Sequence, residues 1–413
     1  MKAGKSRWSS AGAMCRRKWA GSWLAILCAA NASAASYHFA AVWDGSKLWK
    51  DACVTVEGER ITAVGPCSGA SVDLTRFTAI PGMIDVHTHM TYVLGSRVSR
   101  AGRTAAAAYV ARGNPVKTLE TGVTTVRDLG AAGYADIAMR DLINLGEMPG
   151  PRMFVSGYGL SKRNGRPAGP NLADGPEEVA KLVKEQVAAG ADVIKMYGST
   201  GSGRDVTGKQ TFTFEEMKAA CDAAHAAGKR IAIHSYGPEG ARDAVRAGTD
   251  SLEHATDMDD ETIAELARRR IYYVPTIDHN RYYADNAALL KYSPEDVIGL
   301  KNYIARNLET ARKAVKAGVR FAMGSDAVYT MFGENTRELE WFVKAGMSPE
   351  GALRAATANG AELLGMEKEL GALRPGMFAD IAAVEGDPLA DIRAAIDRVR
   401  WVMKAGKVAV EVK

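Results

Sequence analysis

Residues 80–370 alternate between short apolar runs and longer segments with apolar residues three and four apart, and this alternation constrains the fold more than any other feature of the chain. The first pattern predicts buried strands and the second predicts helices. Glycines such as Gly190 and Gly228 follow the helical segments, where a left-handed helix end favours glycine. Eight strand–helix units favour an α/β protein with a (β/α)8 TIM barrel over an open sheet, with strands predicted at 83–86, 123–126, 153–155, 193–196, 231–233, 251–252, 272–274 and 319–323.

Both ends of the chain have the character of short strands instead. Residues 37–72 contain strand-like runs separated by turns, and residues 379–384 and 399–410 have the same pattern. We therefore expect the two ends to combine in one small domain. The predicted organisation is a signal peptide at 1–34, a barrel at 80–370, and a β-sandwich domain built from residues 35–79 and 371–413.

The first 34 residues are typical of a secretory signal. A basic stretch precedes an apolar run at 19–30, which is too short to span a bilayer of about 30 Å, and Ala32, Ser33 and Ala34 fit a cleavage site. We expect an exported chain, periplasmic or secreted, with no membrane span in its mature form. The segment holds six basic residues and no acidic one, so the net charge of +5 leaves a nearly neutral mature chain and no indication of a nucleic-acid partner.

Cys53 and Cys67 flank a hairpin-like stretch at 54–65. They would pair in an oxidising compartment, but two free and partly buried thiols fit the sequence equally well. No cysteine has the spacing of a metal-binding or redox motif.

His87 and His89 end the first predicted barrel strand. Side chains two residues apart on a strand point the same way, so both imidazoles can reach one point in space, as metal ligands do. Other candidate ligands also fall at the carboxyl ends of predicted strands, where barrel enzymes carry their chemistry. Four of the seven histidines share this placement, and the full candidate set is His87, His89, Lys195, His234, His254 and Asp326.

Several stretches together resemble the binuclear metal-dependent amidohydrolase superfamily, and in particular its imidazolonepropionase-like and Xaa-Pro dipeptidase-like branch, whose relatives include ochratoxin-hydrolysing amidohydrolases. The combination is specific, although no single stretch is. The matching stretches are PGMIDVHTH at 81–89, TTVRDLG at 124–130, His254, GSD at 324–326 and GALRPGMFADI at 371–381.

The resemblance implies two divalent metal ions, with His87, His89 and Asp326 on the first and His234 and His254 on the second. Zinc suits this mixed set of imidazoles and carboxylates best, with manganese and cobalt as alternatives. The resemblance also implies a homo-oligomer and a small amide or dipeptide as the substrate.

The resemblance further implies that Lys195 bridges the two ions after carbon dioxide has carboxylated its amine. An ammonium group cannot ligate a cation, whereas a carbamate is anionic and has two oxygens. The alternative is a lysine that pairs with a carboxylate. The implied catalytic residue is Asp326, which accepts a proton from the attacking water and delivers it to the leaving amine.

Substrate-binding residues are harder to predict, because they lie in loops. His279 follows the seventh strand, and Tyr92, Tyr197 and Tyr236 are further candidates for the pocket wall. A guanidinium group would bind a substrate carboxylate through paired hydrogen bonds; the candidates for this role are Arg163, Arg166 and Arg204.

Residues 203–209 imitate a phosphate-binding loop, but Gln210 stands where that motif needs Ser or Thr. We interpret the stretch as a loop at the barrel rim. The leading hypothesis is therefore a dipeptidase or carboxypeptidase-like amidase that acts on Xaa-Pro or N-acyl amino acid substrates, with ochratoxin A among the candidates. The alternatives are a cyclic amidase or lactonase and a catalytically silent binding protein.

Overall fold

The computed structural model describes residues 34–94, 106–163 and 171–411, so the predicted signal peptide lies outside the described residues. Within those ranges, no helix has the length and apolar character needed to cross a bilayer. The strands are β1 (Ala35–Trp43), β2 (Leu48–Glu57), β3 (Arg60–Gly65), β4 (Val72–Pro81), β5 (Met83–Thr88), β6 (Val123–Asp128), β7 (Arg152–Val155), β8 (Ser161–Lys162), β9 (Leu172–Ala173), β10 (Val193–Tyr197), β11 (Arg230–Ser235), β12 (Ser251–His254), β13 (Tyr272–Val274), β14 (Arg320–Phe321), β15 (Ile381–Val384), β16 (Val399–Lys404) and β17 (Lys407–Glu411).

The α-helices with described bounds are α1 (Gly113–Glu120), α2 (Ala135–Asn144), α3 (Pro176–Ala188), α4 (Phe214–Ala226), α5 (Pro238–Ala247), α6 (Asp260–Arg269), α7 (Ile277–Asp285), α8 (Ala287–Leu290), α9 (Pro294–Lys316), α10 (Glu338–Lys344), α11 (Pro349–Ala355), α12 (Ala358–Leu363) and α13 (Arg393–Asp397). Short 3₁₀ helices cover Ala132–Tyr134 and Asn335–Arg337.

Local sequence fixes the ends of several helices. Thr213 begins α4 with a capping box, in which its hydroxyl accepts from the Glu216 N–H and the Glu216 carboxylate accepts from the Thr213 N–H. Ser293 and Asp296 cap α9 in the same way. Gly248 ends α5 with φ +94°, a conformation that favours glycine. These signals account for where α4 and α9 begin and where α5 ends.

All eight predicted strands of the middle region are present, as β5 to β7 and β10 to β14. They form a parallel three-stranded sheet and a parallel five-stranded sheet, with neighbours in sequence order. The observed strands differ from the predicted ones by a few residues at their ends. The carboxyl ends of all eight strands therefore face the same side, as the sequence predicted.

Backbone hydrogen bonds connect the two sheets on both sides. On one side, the Leu160 N–H donates to the Lys195 carbonyl at 2.9 Å, just after β7. On the other side, the Asp326 N–H donates to the His87 carbonyl at 2.7 Å, just after β14. The first bond thus joins the segment after β7 to β10, and the second brings β5 next to the segment after β14.

The strands from both chain ends form one curled seven-stranded sheet, in the order β17-β16-β15-β4-β1-β2-β3. The curling brings β3 to the residues that lead into β15, since the Ile61 N–H donates to the Met377 carbonyl at 3.0 Å. Phe39 and Trp401, from opposite ends of the chain, are buried in its core. Strands from both ends of the described chain therefore share one curled sheet, while the β-sandwich domain of residues 35–79 and 371–413 stays a prediction.

Strand β4 was not predicted. Its first half, with Asp73, Thr75 and Arg76, is largely exposed, while its second half is buried between β1 and β15. The sequence of β4 therefore shows neither a regular alternation of polar and apolar residues nor a continuous apolar run. Neither of the usual strand patterns is present to predict it.

Cys53 and Cys67 form a disulfide, which decides between the two alternatives that the sequence left open. The free cysteine of the described residues, Cys221, is buried in the core. Its burial raises the pKa of its thiol to about 12, which makes it unreactive at neutral pH.

Replacing Cys53 with Ser is expected to lower the free energy of unfolding by about 2–4 kcal/mol, because the bridge restricts the unfolded chain. Urea unfolding with and without reductant measures the effect. Reductant should bring the wild type to the stability of the variant. A wild type that is insensitive to reductant would show that thiol packing, and not the bridge, stabilises this region.

Candidate metal centre

The structure brings all six predicted ligands to one cavity. It has a volume of about 150 Å³ and lies at the carboxyl ends of the parallel strands. Each of the six side chains comes from the end of a strand or from the residues just after it. They are His87 and His89 from β5, Lys195 from β10, His234 from β11, His254 from β12 and Asp326 from the segment after β14.

Asp326 lies at the centre of the group. Its Oδ1 atom is 3.2 Å from His89 Nε2 and 3.5 Å from His87 Nε2. Donor atoms of His87, His254 and Asp326 all lie within 4.8 Å of one another. The ring of His234 is 4.5 Å from that of His254, measured between centroids. One small region therefore collects imidazoles from several strands around a carboxylate.

The imidazoles of His87 and His254 are held in the neutral form that metal binding requires. Burial, together with the nearby charge of Lys195, lowers the pKa of His87 to about 4. Burial also holds the pKa of His254 well below its ordinary value. The Nε2 atom of His87 is buried and makes no hydrogen bond with the described residues. A buried lone pair that faces this cavity fits a metal ion.

Hydrogen bonds on the far side of the rings fix which nitrogen faces the cavity. The Nδ1–H of His87 donates to Glu253 at 2.7 Å, and that of His89 donates to the Gly130 carbonyl at 3.1 Å. Since a neutral imidazole carries one proton, these bonds leave Nε2 of both rings as acceptors. Such outer partners are typical of metal-binding histidines.

Glu253 is itself held by Arg127, whose Nη2 lies 2.9 Å from the Glu253 carboxylate. Both side chains are almost fully buried. Burial alone would raise the pKa of Glu253, but the charge of Arg127 and the hydrogen bond from His87 lower it to about 2. The carboxylate is therefore ionised at neutral pH and keeps His87 in its orientation.

Asp326 is also a carboxylate rather than a carboxylic acid. Burial would raise its pKa, but the neighbouring rings of His279, His87 and His89 hold it well below the ordinary value. The group can therefore ligate a cation or accept a proton. The pKa of the Asp326 carboxyl therefore depends on these three neighbouring rings.

Left-handed backbone conformations cluster at this site. His254, Thr276 and Asp326 have φ values of +71°, +48° and +51°, which are costly for residues other than glycine. At His254 the consequence is clear: the turn at the end of β12 lets both Glu253 and His254 reach the site, although neighbouring residues on a strand normally face opposite sides.

Four of the predicted substrate-binding residues line the cavity. Tyr92 stacks on His89 with centroids 4.7 Å apart, and Tyr236 stacks on His234 at 5.1 Å. His279 approaches Asp326 through both ring nitrogens: Nε2 is 3.2 Å from Oδ2, and Nδ1–H donates to the Asp326 carbonyl at 2.8 Å. The four residues are Tyr92, Tyr197, Tyr236 and His279.

The predicted arginines are placed differently. Arg163 is half-exposed and pairs with Asp174 and Glu178, so acidic neighbours already hold its guanidinium. The guanidinium of Arg204 lies over the ring of Tyr292, 4.6 Å from its centroid. Neither arginine lines the cavity, and Arg166 lies outside the described residues.

Sequence reasoning missed several residues of this site. Arg127 and Glu253 are charged residues within otherwise buried strands. Two opposite charges in such strands would have indicated a buried ion pair. Tyr283, Tyr329 and Ser202 also line the cavity, but they lie in helices and loops whose placement no local pattern predicts. The loop at 203–209 is a rim segment in which the Ser202 and Asp205 backbones pair.

The fold and the site together define an α/β protein with a buried candidate metal centre at the carboxyl ends of its parallel strands. A sequence profile of the amidohydrolase family matches residues 78–409. The chain belongs to this family, as the sequence resemblance predicted, and it is a hydrolase that acts on C–N bonds. Members of the family typically bind metal ions, which agrees with the grouped donor atoms.

Individual relatives cover most of the chain. The ochratoxinase of Aspergillus niger is 32% identical over 371 residues and covers 80% of this chain and 75% of its own. An imidazolonepropionase of Streptomyces avermitilis is 25% identical over 377 residues and covers 82% and 81%. The crystal structure of a Xaa-Pro dipeptidase with bound methionine is 30% identical, with a TM-score of 0.83, and covers 91% of this chain and 99% of its own.

Replacing Arg127 with Met is expected to lower the free energy of unfolding by about 3–5 kcal/mol, because Glu253 would become a buried charge without its partner. Urea unfolding measures the change. The matched control is Arg268→Met, which breaks an exposed ion pair with Glu265 and should cost about 1 kcal/mol or less. Equal effects of the two substitutions would contradict the importance of the buried pair.

Proposed function

We propose that the protein is a binuclear metal-dependent hydrolase of amide and peptide bonds. The observation that carries this proposal is the convergence of four histidines, Lys195 and Asp326 on one buried cavity. His87, His89 and Asp326 would hold one divalent ion, and His234 and His254 the other. We further propose that the eight parallel strands form a closed (β/α)8 barrel, which the hydrogen bonds between the two sheets support.

Lys195 would bridge the two ions as a carbamate. Its side chain is about 1% exposed and lines the cavity beside the histidines. A buried ammonium would repel both cations, whereas a carbamate supplies one negative charge and two oxygen ligands. Zinc fits the imidazoles and carboxylate of this set best.

In the proposed reaction, the bound ions would supply the Lewis acidity that activates a water and polarises the substrate carbonyl. Asp326 would accept the proton of that water and return it to the leaving nitrogen. His279 would orient the Asp326 carboxylate, because it contacts both the side chain and the backbone of that residue. Tyr92 and Tyr236 would form the wall that excludes bulk water.

The proposed substrates are Xaa-Pro dipeptides and N-acyl amino acids. Both kinds of molecule end in an amino acid with a free carboxylate. Similarity to a Xaa-Pro dipeptidase and to an ochratoxinase supports this class, and ochratoxin A is included among the candidates. We also propose export to an oxidising compartment, which the Cys53–Cys67 disulfide favours. Assembly into a homo-oligomer stays a prediction.

The purified protein is expected to contain about two divalent ions per chain and to hydrolyse a panel of dipeptides and N-acyl amino acids. Elemental analysis and amine release measure the two quantities. His234→Gln should lose metal and activity, while the control His38→Gln should keep both, because His38 pairs with Asp51 on the outer sheet. An active, metal-free protein would refute the proposal, and turnover of cyclic amides alone would favour the cyclic amidase alternative.

Replacing Asp326 with Asn is expected to retain much of the bound metal and to lower kcat by about 10²–10⁴-fold, because the amide cannot accept the proton. Steady-state kinetics and metal analysis of the same preparation test this. The control is Asp222→Asn on the exposed face of α4, which should leave kcat unchanged. A near-normal kcat for the Asp326 variant would exclude the assigned role.

A further inference from the structure

A second cavity lies at the opposite end of the strands from the candidate metal centre. Its volume is about 420 Å³, and it shares no lining residue with the first cavity. Arg230, Tyr272 and Arg320 are the first residues of β11, β13 and β14, and Asp250 immediately precedes β12. The cavity therefore lies where these four strands begin, next to the ends of α6 and α12.

Positive charge dominates the lining of this second cavity. Guanidinium groups outnumber carboxylates two to one among its lining residues. Guanidinium groups form planar pairs of hydrogen bonds with phosphate and carboxylate oxygens. The charged lining residues are Arg230, Arg269, Arg270, Arg320, Asp250 and Glu362.

The two carboxylates are already engaged. Both oxygens of Glu362 accept hydrogen bonds from Arg320, one of them at 2.7 Å. One oxygen of Asp250 accepts from the Ile231 N–H at 2.8 Å and contacts His225 Nε2 at 2.9 Å. These bonds use most of the acceptor capacity of the acidic groups, so little remains for the other guanidinium groups.

Arg270 and Arg230 are the least engaged of the four arginines. Arg270 comes no closer than 4.0 Å to Glu362, makes no side-chain hydrogen bond with the described residues, and is 69% exposed. Arg230 has one contact with Asp250, at 3.3 Å. Each guanidinium has five N–H donors, so both keep donors for a ligand in the cavity.

Tyr272 adds to the use of Glu362 as an acceptor. Its side chain is 3% exposed and lines the cavity, and its ring lies under the Arg320 guanidinium at 4.5 Å. Its hydroxyl interacts with the Glu362 carboxylate, which Arg320 also holds. Arg320 and Tyr272 therefore share the acceptors of Glu362, and the guanidinium groups of Arg230 and Arg270 keep donors for a bound oxyanion.

We propose that this cavity binds a multivalent oxyanion, such as a phosphate-bearing or polycarboxylate metabolite, through Arg230 and Arg270. The ligand would connect the end of α6 with the start of β11. Because only the folded chain presents these groups together, binding would stabilise the fold. The proposal does not depend on the chemistry at the opposite end of the strands.

The test measures the thermal unfolding midpoint of the metal-loaded full chain in inorganic phosphate, in succinate, and in sodium chloride of matched ionic strength. The test variant is the double substitution R230Q/R270Q. The matched control is R268Q; Arg268 lies on α6 two residues before Arg270, is 68% exposed, pairs with Glu265 and does not line the cavity. Unchanged metal content and basal hydrolysis in both variants verify that they fold.

Wild type and R268Q are expected to show a saturable rise of about 2 °C or more in phosphate over chloride, and the double variant should lose most of it. A response to phosphate alone identifies a phosphate-type ligand, and an equal response to succinate extends the class to polycarboxylates. Any phosphate bound at the metal centre would affect all three proteins equally. An equal rise in the double variant, or no rise above chloride in the wild type, would overturn the proposal.

Discussion

The ion pair between Arg127 and Glu253 is the interaction on which the candidate metal centre depends. It joins β6 to β12, and the hydrogen bond that His87 donates to Glu253 extends the link to β5. A carboxylate this deeply buried persists as an anion only because a cation and a ring N–H compensate for its lost hydration. The same anion fixes the proton of His87 on Nδ1 and so directs Nε2 into the cavity. A charge outside the cavity thus determines what the cavity can bind.

Much of the architecture followed from the sequence, because strand and helix periods are local properties. The eight strands and the convergence of His87, His234, His254 and Asp326 needed only the alternation and the rule that strand ends share a face. The sequence could not reveal β4, whose two halves have different environments, or the positions of Arg163 and Arg204, since loops are positioned by distant contacts. The glutamate beside His254 was visible, but its role depends on a turn with positive φ.

The site combines a rigid set of candidate ligands with a wall of aromatic hydroxyls. Tyr92 and Tyr236 stack on candidate ligand histidines, so the residues that would meet a substrate also contact the residues that would hold metal. A change in the wall to alter substrate choice would therefore also disturb the centre.

The curled sheet has a consequence for how the molecule is made. Strand β15 lies between β4 and β16, so the sheet that starts at residue 35 receives its central neighbour only when residues 381–384 arrive. During synthesis on the ribosome, β4 would have an unpaired edge while nearly three hundred residues are added (about 81 to 381). Unpaired edges recruit other strands. The two ends of the described chain must therefore meet to complete one layer, so this sheet is finished only after most of the chain has been made.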